Sequence, residues 1–397
     1  MRIAFIVQRY GIDVAGGSEA LCRHVAERLA QFHKIEVLTT CAKDYITWRN
    51  EYTEGIENIN GVLVRRFKVD RVRDLKKFNP FTQRLFSEPH TEIDEVRWIE
   101  DQGPYVPKLL NFIKNHKDDY EIFVFFTYRY YPSFFGLPLV YEKSILIPTA
   151  EDEPTLNLNI NKSFFCLPKA IIYLTEEEKN TLIRRFNTQN ILNDIIGMGL
   201  TIPENVKGER FKKKYKLSHD FILYIGRVDG NKGCNQLFDY FIRYKQNNPS
   251  NLKLVLIGNA VIEIPNSPDI LHLGFLPEND KFDGIIAAKI VIMPSEFESY
   301  SIVVTEAWAL GTPTVVNERC AVLKGHCLRS NAGLYYADYN EFVECINLLV
   351  SDNELGKRLG KNGKAYVEAN YNWDRVEGKY LALFEMVGGV NFSHGNE

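Results

Sequence analysis

The chain has 397 residues, of which 45% are hydrophobic, and its formal net charge at pH 7 is −3. That length accommodates two domains with substantial cores, and that hydrophobic fraction argues against a disordered chain. A weakly acidic protein gives no global reason to expect nucleic acid as a partner, so any site for a polyanion must be local.

The seven cysteines are scattered along the chain without a C-x-x-C pair. Their spacing argues against a disulfide framework or a zinc site, and we expect reduced thiols in a cytoplasmic protein. The apolar run at residues 3–7 is too short for a signal peptide, so it predicts a buried first strand.

A βαβ unit is predicted at the start of the chain, with a strand at 3–7, a helix at 18–32 and a strand at 35–40. Gly16 and Gly17 follow the first strand, at the edge where open parallel sheets bind ligands, and their backbone could approach a phosphate. A simple turn is the alternative. The strict G-x-G-x-x-G fingerprint is absent, which disfavours a dinucleotide oxidoreductase.

A basic run extends from Arg65 to Lys77. Such a run predicts a solvated face whose long side chains cover apolar surface. The alternative is a peripheral contact with anionic lipid headgroups at the inner face of a membrane.

Further strands are predicted at 122–126, 144–148 and 170–174. Glu151, Asp152 and Glu153 follow the second of them, at another carboxyl edge. No D-x-D motif occurs, so a metal-bridged diphosphate is not indicated. Thr175 and Glu178 fit a capping box at the start of the next helix.

The alternation of strands and helices breaks near Gly199 and begins again at residue 221. We therefore predict an α/β protein with two doubly wound, Rossmann-like parallel-sheet domains. The predicted boundaries are 1–199 for the first domain and 200–372 for the second. Residues 373–397 would form a C-terminal helix that begins at Trp373.

The loop after the strand at 221–225 carries two cations between glycines. Gly226 and Arg227 open this loop, and Lys232 and Gly233 close it. Arg227 could hold a diphosphate through its planar guanidinium group, and Lys232 could do so as a point charge.

Two glutamates lie near a predicted helix start further along the same domain. Glu298 is in a loop after the strand at 290–293, and Glu306 is early in the helix that begins near Ile302. Because helical side chains lean towards the N-terminus, both carboxylates are expected to border one cleft. The alternative is a solvated loop acid and a first-turn acid placed for the helix dipole.

The backbone N–H groups around Ser299, Tyr300 and Ser301 are expected to face the same cleft, because a helix start attracts anions. Acids beside an anion site suit a ligand with a phosphate group for the N–H donors and hydroxyl groups for the carboxylates. A nucleotide sugar has both.

These motifs together resemble the retaining glycosyltransferases of family four, which have the GT-B fold of two domains facing across a cleft. The G-R-x(4)-K-G loop, the paired glutamates and the N-terminal glycines all match. The resemblance implies that Arg227 and Lys232 bind the donor diphosphate, that Glu298 lies near the donor sugar and that Glu306 binds the ribose hydroxyls. It also implies that the final helix crosses back to the first domain.

By the same resemblance, the reaction needs no metal and no cofactor, and it retains the anomeric configuration. The partners would be a nucleotide-diphosphate sugar and a glycan or lipid-linked acceptor, in the synthesis of a surface polysaccharide.

Two positions depart from the family pattern. Glu151-Asp152 stands where many members have His-Asp, and Ser299 and Ser301 stand where many have glycine. Glu151 and Asp152 are therefore candidate sugar contacts without a transferable role. These departures favour an alternative function, a non-catalytic sugar-nucleotide-binding subunit. A sugar-nucleotide epimerase is a third hypothesis, and the paired glutamates disfavour it.

Overall fold

The computed structural model describes residues 1–14 and 16–389, which divide into two compact units. The first unit contains Met1–Gly199 and the described residues from Asp374 onward, and the second contains Leu200–Trp373. The chain therefore leaves the first unit once and returns to it. Residues 390–397 of the predicted C-terminal helix lie outside the described residues.

The strands of the first unit form one sheet in the order β3-β4-β2-β1-β5-β6-β7-β8. Their bounds are β1 (Arg2–Ile6), β2 (Lys34–Thr40), β3 (Gly55–Ile59), β4 (Val62–Phe67), β5 (Ile122–Phe126), β6 (Ser144–Ile147), β7 (Ala170–Tyr173) and β8 (Leu192–Ile195). β3 pairs antiparallel with β4, and the other described pairings are parallel. The central strands are almost wholly buried, which explains their continuous apolar sequences.

The helices that follow these strands include both long and very short segments. Their bounds are α1 (Gly17–Leu29), α2 (Leu75–Ser87), α3 (Glu92–Gln102), α4 (Pro107–Asn115), α5 (Tyr131–Gly136), α6 (Ile160–Phe164) and α7 (Glu176–Phe186). α2 and α3 pack on each other over a separate small core that contains Phe78, Leu85 and Trp98.

The second unit has its own parallel sheet, in the order β11-β10-β9-β12-β13-β14. The strands are β9 (Phe221–Ile225), β10 (Lys253–Ile257), β11 (Ile270–His272), β12 (Ile290–Met293), β13 (Thr314–Asn317) and β14 (Gly333–Tyr336). The helices are α8 (Gly208–Lys214), α9 (Cys234–Asn247), α10 (Glu278–Ala287), α11 (Ile302–Leu310), α12 (Ala321–Ser330), α13 (Tyr339–Ser351) and α14 (Asn353–Tyr371). The prediction of two parallel-sheet α/β domains is confirmed.

The last helix, α15 (Trp373–Gly388), begins where the chain returns to the first unit. Arg28 on α1 forms an ion pair with Glu377 on α15. Lys379 Nζ lies 3.1 Å from the carboxylate of Asp194 and 2.7 Å from the carbonyl oxygen of Ile195. These contacts attach α15 to α1 and to the edge strand β8.

The basic run from Arg65 to Lys77 is not the uniform solvated face that its sequence predicts. Its first residues belong to β4, whose side chains alternate between the two faces of the sheet. Arg65 Nε lies 2.8 Å from the carboxylate of Glu36, and the buried Arg66 donates to backbone carbonyls. Arg73 likewise donates to three backbone carbonyls of the first unit. Lys77 on α2 is exposed.

The predicted capping box at Thr175 and Glu178 is only half correct. Thr175 Oγ1 accepts a hydrogen bond from Glu178 N at 3.2 Å, as an N-cap should. The Glu178 carboxylate instead accepts hydrogen bonds from Leu174 N and Ala150 N, both at 2.6 Å. It therefore joins the start of α7 to the loop after β6.

Within residues 1–14 and 16–389, none of the helices combines the length and the apolar stretch that a bilayer crossing requires.

Candidate functional site

The loop after β9 is held tightly against its neighbours. Gly226 N donates to Ile257 O at 3.0 Å, so this N–H belongs to the pairing of β9 with β10. Arg227 Nε lies 2.7 Å from Asp229 Oδ2, and Tyr224 donates its hydroxyl proton to Arg227 O at 2.7 Å. The Arg227 guanidinium group is thus oriented by a carboxylate two residues away.

Gly233 ends this loop with a φ of 75°, a conformation that favours glycine. A Cβ atom at this position would collide with the carbonyl oxygen of Pro294, in the loop after β12. The two loops therefore approach each other as closely as their backbones allow. This approach explains the need for glycine beside Lys232.

An ion pair joins these two loops. Lys232 Nζ lies 2.8 Å from Glu298 Oε1 and 3.3 Å from the carbonyl oxygen of Phe297. The side chain of Glu298 is only 14% exposed, so it is not the solvated loop acid of the alternative interpretation. The structure thus brings together a cation from the β9 loop and an acid from the β12 loop.

The residues just before α11 have different surroundings. Tyr300 is buried, and its ring makes edge contacts with His326 and Tyr371 at centroid distances of 5.6 and 5.4 Å. His326 lies 3.1 Å from Tyr300 O, which fixes the backbone there. Ser299 is half-buried, and Ser301 is the N-cap residue of α11.

His326 holds this segment as a neutral group. Burial, with the charge of Arg329 as a second cause, lowers the pKa of His326 to about 3. The imidazole therefore carries no charge near neutral pH, and it supports the backbone of Tyr300 rather than an ion pair.

Glu306 occupies the second turn of α11, so the first-turn alternative is wrong. It is 6% exposed, and its Oε1 lies 2.6 Å from Lys281 Nζ on α10. Oε2 has no hydrogen-bond partner among the described residues. Burial raises the pKa of Glu306, while the charge of Lys281 and its hydrogen bond oppose that rise. The two glutamates therefore have different lysine partners.

In the first unit, the glycines before α1 lie beside a buried ion pair. Glu19 on α1 lies 2.6 Å from Arg9 Nη2, and both side chains are buried. A Cβ atom on Gly16 would collide with the Glu19 carboxylate, whereas one on Gly17 would meet nothing within 4 Å. Gly16 thus makes room for a carboxylate of the same chain.

The acids after β6 also have partners within the first unit. Asp152 forms an ion pair with Arg185 of α7, and Glu153 forms one with Arg129 of the loop after β5. Glu151 directly follows Ala150, whose N–H the Glu178 carboxylate accepts. The pKa of Glu178 is raised to about 8. Burial is the main cause and the charge of Glu151 contributes, and together they outweigh the hydrogen bonds from Leu174 N and Ala150 N, which lower the pKa.

Sequence reasoning missed Lys281, Arg9 and the role of Glu178. Lys281 lies 25 residues before Glu306, on another helix, so no local spacing connects the two. Arg9 is different, because a charged residue three positions after the end of a buried first strand is a signal that could have identified it. Among residues 1–14 and 16–389, no three His, Cys, Asp or Glu side chains are placed to hold a metal ion.

Residues 205–366 match the family model described as glycosyl transferases group 1. The capsular polysaccharide biosynthesis glycosyltransferase CapM of Staphylococcus aureus is 25% identical over 246 residues, which cover 55% of this chain and 62% of that protein. The first curated relatives are matched over 58 to 62% of their own length, so this chain spans about three fifths of them.

Solved structures match almost the whole chain. Sucrose-phosphate synthase from Thermosynechococcus elongatus has a TM-score of 0.75 and 17% identity, and the match covers 98% of this chain and 99% of that one. HepE of Anabaena, in complex with UDP-glucose, has a TM-score of 0.68 and 14% identity over 97% and 100% of the two chains. At such identities, these likenesses establish the fold.

Proposed function

Because residues 205–366 match the glycosyl transferases group 1 family model and the chain has the GT-B fold, we propose that it transfers a sugar from a nucleoside-diphosphate sugar to a glycan or lipid-linked acceptor. The observation that carries this proposal is the 2.8 Å contact between Lys232 and Glu298. It joins a cationic loop and an acidic loop at the carboxyl edge of one parallel sheet, where α/β proteins bind their ligands.

In the proposed reaction, the bond between the anomeric carbon and the diphosphate oxygen breaks, and the acceptor oxygen forms a new bond to that carbon. Negative charge accumulates on the leaving diphosphate. Arg227 and Lys232 stabilise that charge, as preorganised donors do for an oxyanion. The acceptor hydroxyl loses its proton to the departing phosphate and attacks the same face, so the anomeric configuration is retained. The step uses no metal ion.

Two ion pairs must respond when the donor binds. Lys232 is bonded to Glu298, and Arg227 is bonded to Asp229. The phosphate oxygens compete with these carboxylates for the cations, and the carboxylates then become acceptors for sugar hydroxyl groups. Once Lys232 binds the phosphate, the Glu298 carboxylate is free to accept hydrogen bonds from the donor sugar.

We also propose that the product is a surface polysaccharide or its lipid-linked precursor, made in the cytoplasm. The capsular polysaccharide function in the name of CapM supports this choice. For peripheral membrane contact, the basic run offers three exposed lysines, Lys68, Lys76 and Lys77. The paired arginines of that run are bound within the first unit.

The proposal is tested by measuring the unfolding midpoint with a panel of nucleotide sugars, since a ligand at 100 times its dissociation constant adds about 2.7 kcal/mol of stability. The stabilising donor is then incubated with candidate acceptors, and the product's anomeric configuration is read by NMR.

Arg227→Ala should lower kcat by about 10²-fold or more, because one preorganised donor is lost. Near-normal turnover in this variant would contradict the proposed role. Tight donor binding without transfer or hydrolysis would support the non-catalytic binding subunit instead. A changed sugar without any acceptor would identify an epimerase.

A further inference from the structure

Ser301 caps α11 in an unusual way. A serine at an N-cap normally has extended backbone angles and accepts a hydrogen bond from the N–H of the second or third helical residue. Ser301 instead has φ 66° and ψ 81°, and its side chain makes no capping hydrogen bond. The hydroxyl group is therefore not used to stabilise the helix.

The same hydroxyl is buried without a partner. Ser301 is 8% exposed, and its Oγ forms no hydrogen bond within the described part of the chain. Burying an unpaired hydroxyl is unfavourable, and so is a left-handed conformation for a residue with a Cβ atom. Strained residues of this kind cluster at active sites and ligand-binding loops.

The surroundings of Ser301 define the ligand that fits. Its hydroxyl lies at the N-terminus of a nine-residue helix, which attracts negative charge. Three residues earlier in the same loop, Glu298 brings in Lys232 Nζ at 2.8 Å. A helix N-terminus, a lysine bonded to the same loop and an unpaired hydroxyl group each favour an anionic ligand that accepts hydrogen bonds.

We propose that Ser301 Oγ donates a hydrogen bond to the diphosphate of the donor substrate, an inference that rests on the proposed function. Glu306 Oε2, on the same helix, is the complementary case, because it is a buried acceptor without a partner in the described residues. A nucleoside diphosphate offers acceptors to Ser301 and ribose donors to Glu306. The serine that replaces the usual glycine at position 301 would then supply one more hydrogen-bond donor to the diphosphate.

The experiment compares Ser301→Ala with Ser330→Ala. Ser330 is also a buried serine, but its hydroxyl donates to Cys327 O and accepts from Ala332 N. Binding of UDP and of uridine is measured by calorimetry, and the unfolding midpoint is measured without ligand. UDP is the first probe. If GDP, ADP or dTDP stabilises the wild type more than UDP does, that nucleoside diphosphate and the matching nucleoside are used instead.

Ser301→Ala should raise the Kd for UDP at least about tenfold, as loss of a hydrogen bond to a charged group predicts. Uridine affinity should stay the same, because uridine has no phosphate. The ligand-free unfolding midpoint should stay the same or rise, since no bond is lost in the free protein. Ser330→Ala should lower that midpoint and leave UDP binding unchanged.

A second variant, Ser301→Gly, separates strain from binding. It removes both the hydroxyl and the Cβ atom, so it should be more stable than Ser301→Ala and should bind UDP about as weakly. Unchanged UDP affinity in both variants, or an equal loss for uridine, would overturn the proposal.

The failure of the proposed function itself would look different. In that case the wild-type protein would bind none of the nucleoside diphosphates, and the Ser301 proposal would fall with it. A wild type that binds UDP, beside Ser301 variants that bind it equally well, would overturn the Ser301 proposal alone.

Discussion

Each of the two glutamates of the candidate site, Glu298 and Glu306, forms an ion pair with a different lysine. Lys232 comes from the loop after β9 and pairs with Glu298, whereas Lys281 comes from α10 and pairs with Glu306. Glu306 is the more deeply buried of the two acids, and its ion pair with Lys281 opposes the rise in pKa that burial causes. The free oxygen of Glu306 can act as a strong acceptor only while the carboxylate remains charged.

We therefore predict that Lys281→Met weakens nucleotide binding indirectly, through its effect on Glu306. Burial already raises the pKa of Glu306, and removal of the lysine removes the main opposing influence. Glu306 should then be protonated nearer to neutral pH and accept more weakly from a ribose hydroxyl. Calorimetry should show a Kd for UDP raised about tenfold, and a smaller preference for UDP over 2′-deoxy-UDP.

Lys289→Met is the matched control, because the Lys289 ammonium group contacts Asn353 instead of an acid of the site. It should leave both affinities unchanged. If Lys281→Met discriminated between UDP and 2′-deoxy-UDP as strongly as the wild type, Glu306 would not be the ribose acceptor.

The residue types of the site could be predicted from sequence, but not all of their partners. Arg227, Lys232 and Glu298 are identifiable because each lies in the loop that follows a strand with a clear apolar run. The pairing of Lys281 with Glu306 depends on how α10 packs beside α11. No periodicity within either helix encodes that packing.

At the scale of elements, the buried parallel strands were the most predictable. The bounds of β5, β9 and β12 agree with the sequence prediction, because each is a continuous apolar run between polar loops. The β3–β4 hairpin was missed because the R-R-F-K sequence at its end suggests a charged surface. In the structure, one of those arginines is buried against backbone carbonyls, which a pattern of charges does not indicate.

Glu178 links two elements and gives a prediction for pH dependence. Its carboxylate accepts from Ala150 N in the β6 loop and from Leu174 N before α7. Burial raises its folded-state pKa from 4.5 to about 8. Between these values the folded state holds a proton that the unfolded state has released, so stability should fall as pH rises from about 5 to 8.

The measurement is the free energy of unfolding of the wild type and of Glu178→Gln, from urea titrations between pH 5 and 9. The variant should be less stable at pH 5, because both oxygens of the protonated acid can accept a hydrogen bond, whereas the amide nitrogen cannot accept from either N–H group. The stability difference should shrink towards pH 8, by at most about 1.4 kcal/mol per pH unit. Glu176→Gln, an exposed neighbour, is the control, and parallel pH curves for wild type and Glu178→Gln would contradict the assignment.

At the scale of the whole molecule, the first unit is built from two segments that are far apart in the sequence. The second unit is an insertion between Gly199 and Asp374, and α15 completes the first unit from the far end of the chain. Trp373 stays with the second unit, where its Nε1 lies 2.9 Å from Thr201 Oγ1. A hydrogen bond within the second unit therefore fixes the chain at the boundary between Trp373 and Asp374.

We predict that a chain ending at Trp373 keeps the second unit folded and loses the first. The deletion removes the buried side chains of α15, including Val376, Tyr380, Leu383 and Phe384. At about 1.5 to 3 kcal/mol for each large apolar side chain, this loss is about 6 to 12 kcal/mol. A domain's whole stability is about 5 to 15 kcal/mol, so the first unit has little left to hold it together.

Calorimetry and limited proteolysis distinguish the outcomes of this deletion. The shortened chain should show one unfolding transition, and proteolysis should leave a protected fragment that begins near Leu200. Nucleotide binding should survive, because Arg227, Lys232, Glu298 and Glu306 all lie in the second unit. Loss of the protected fragment would mean that the second unit depends on the first for its stability, whereas protection of residues 1–199 would mean that α15 contributes little to the core of the first unit.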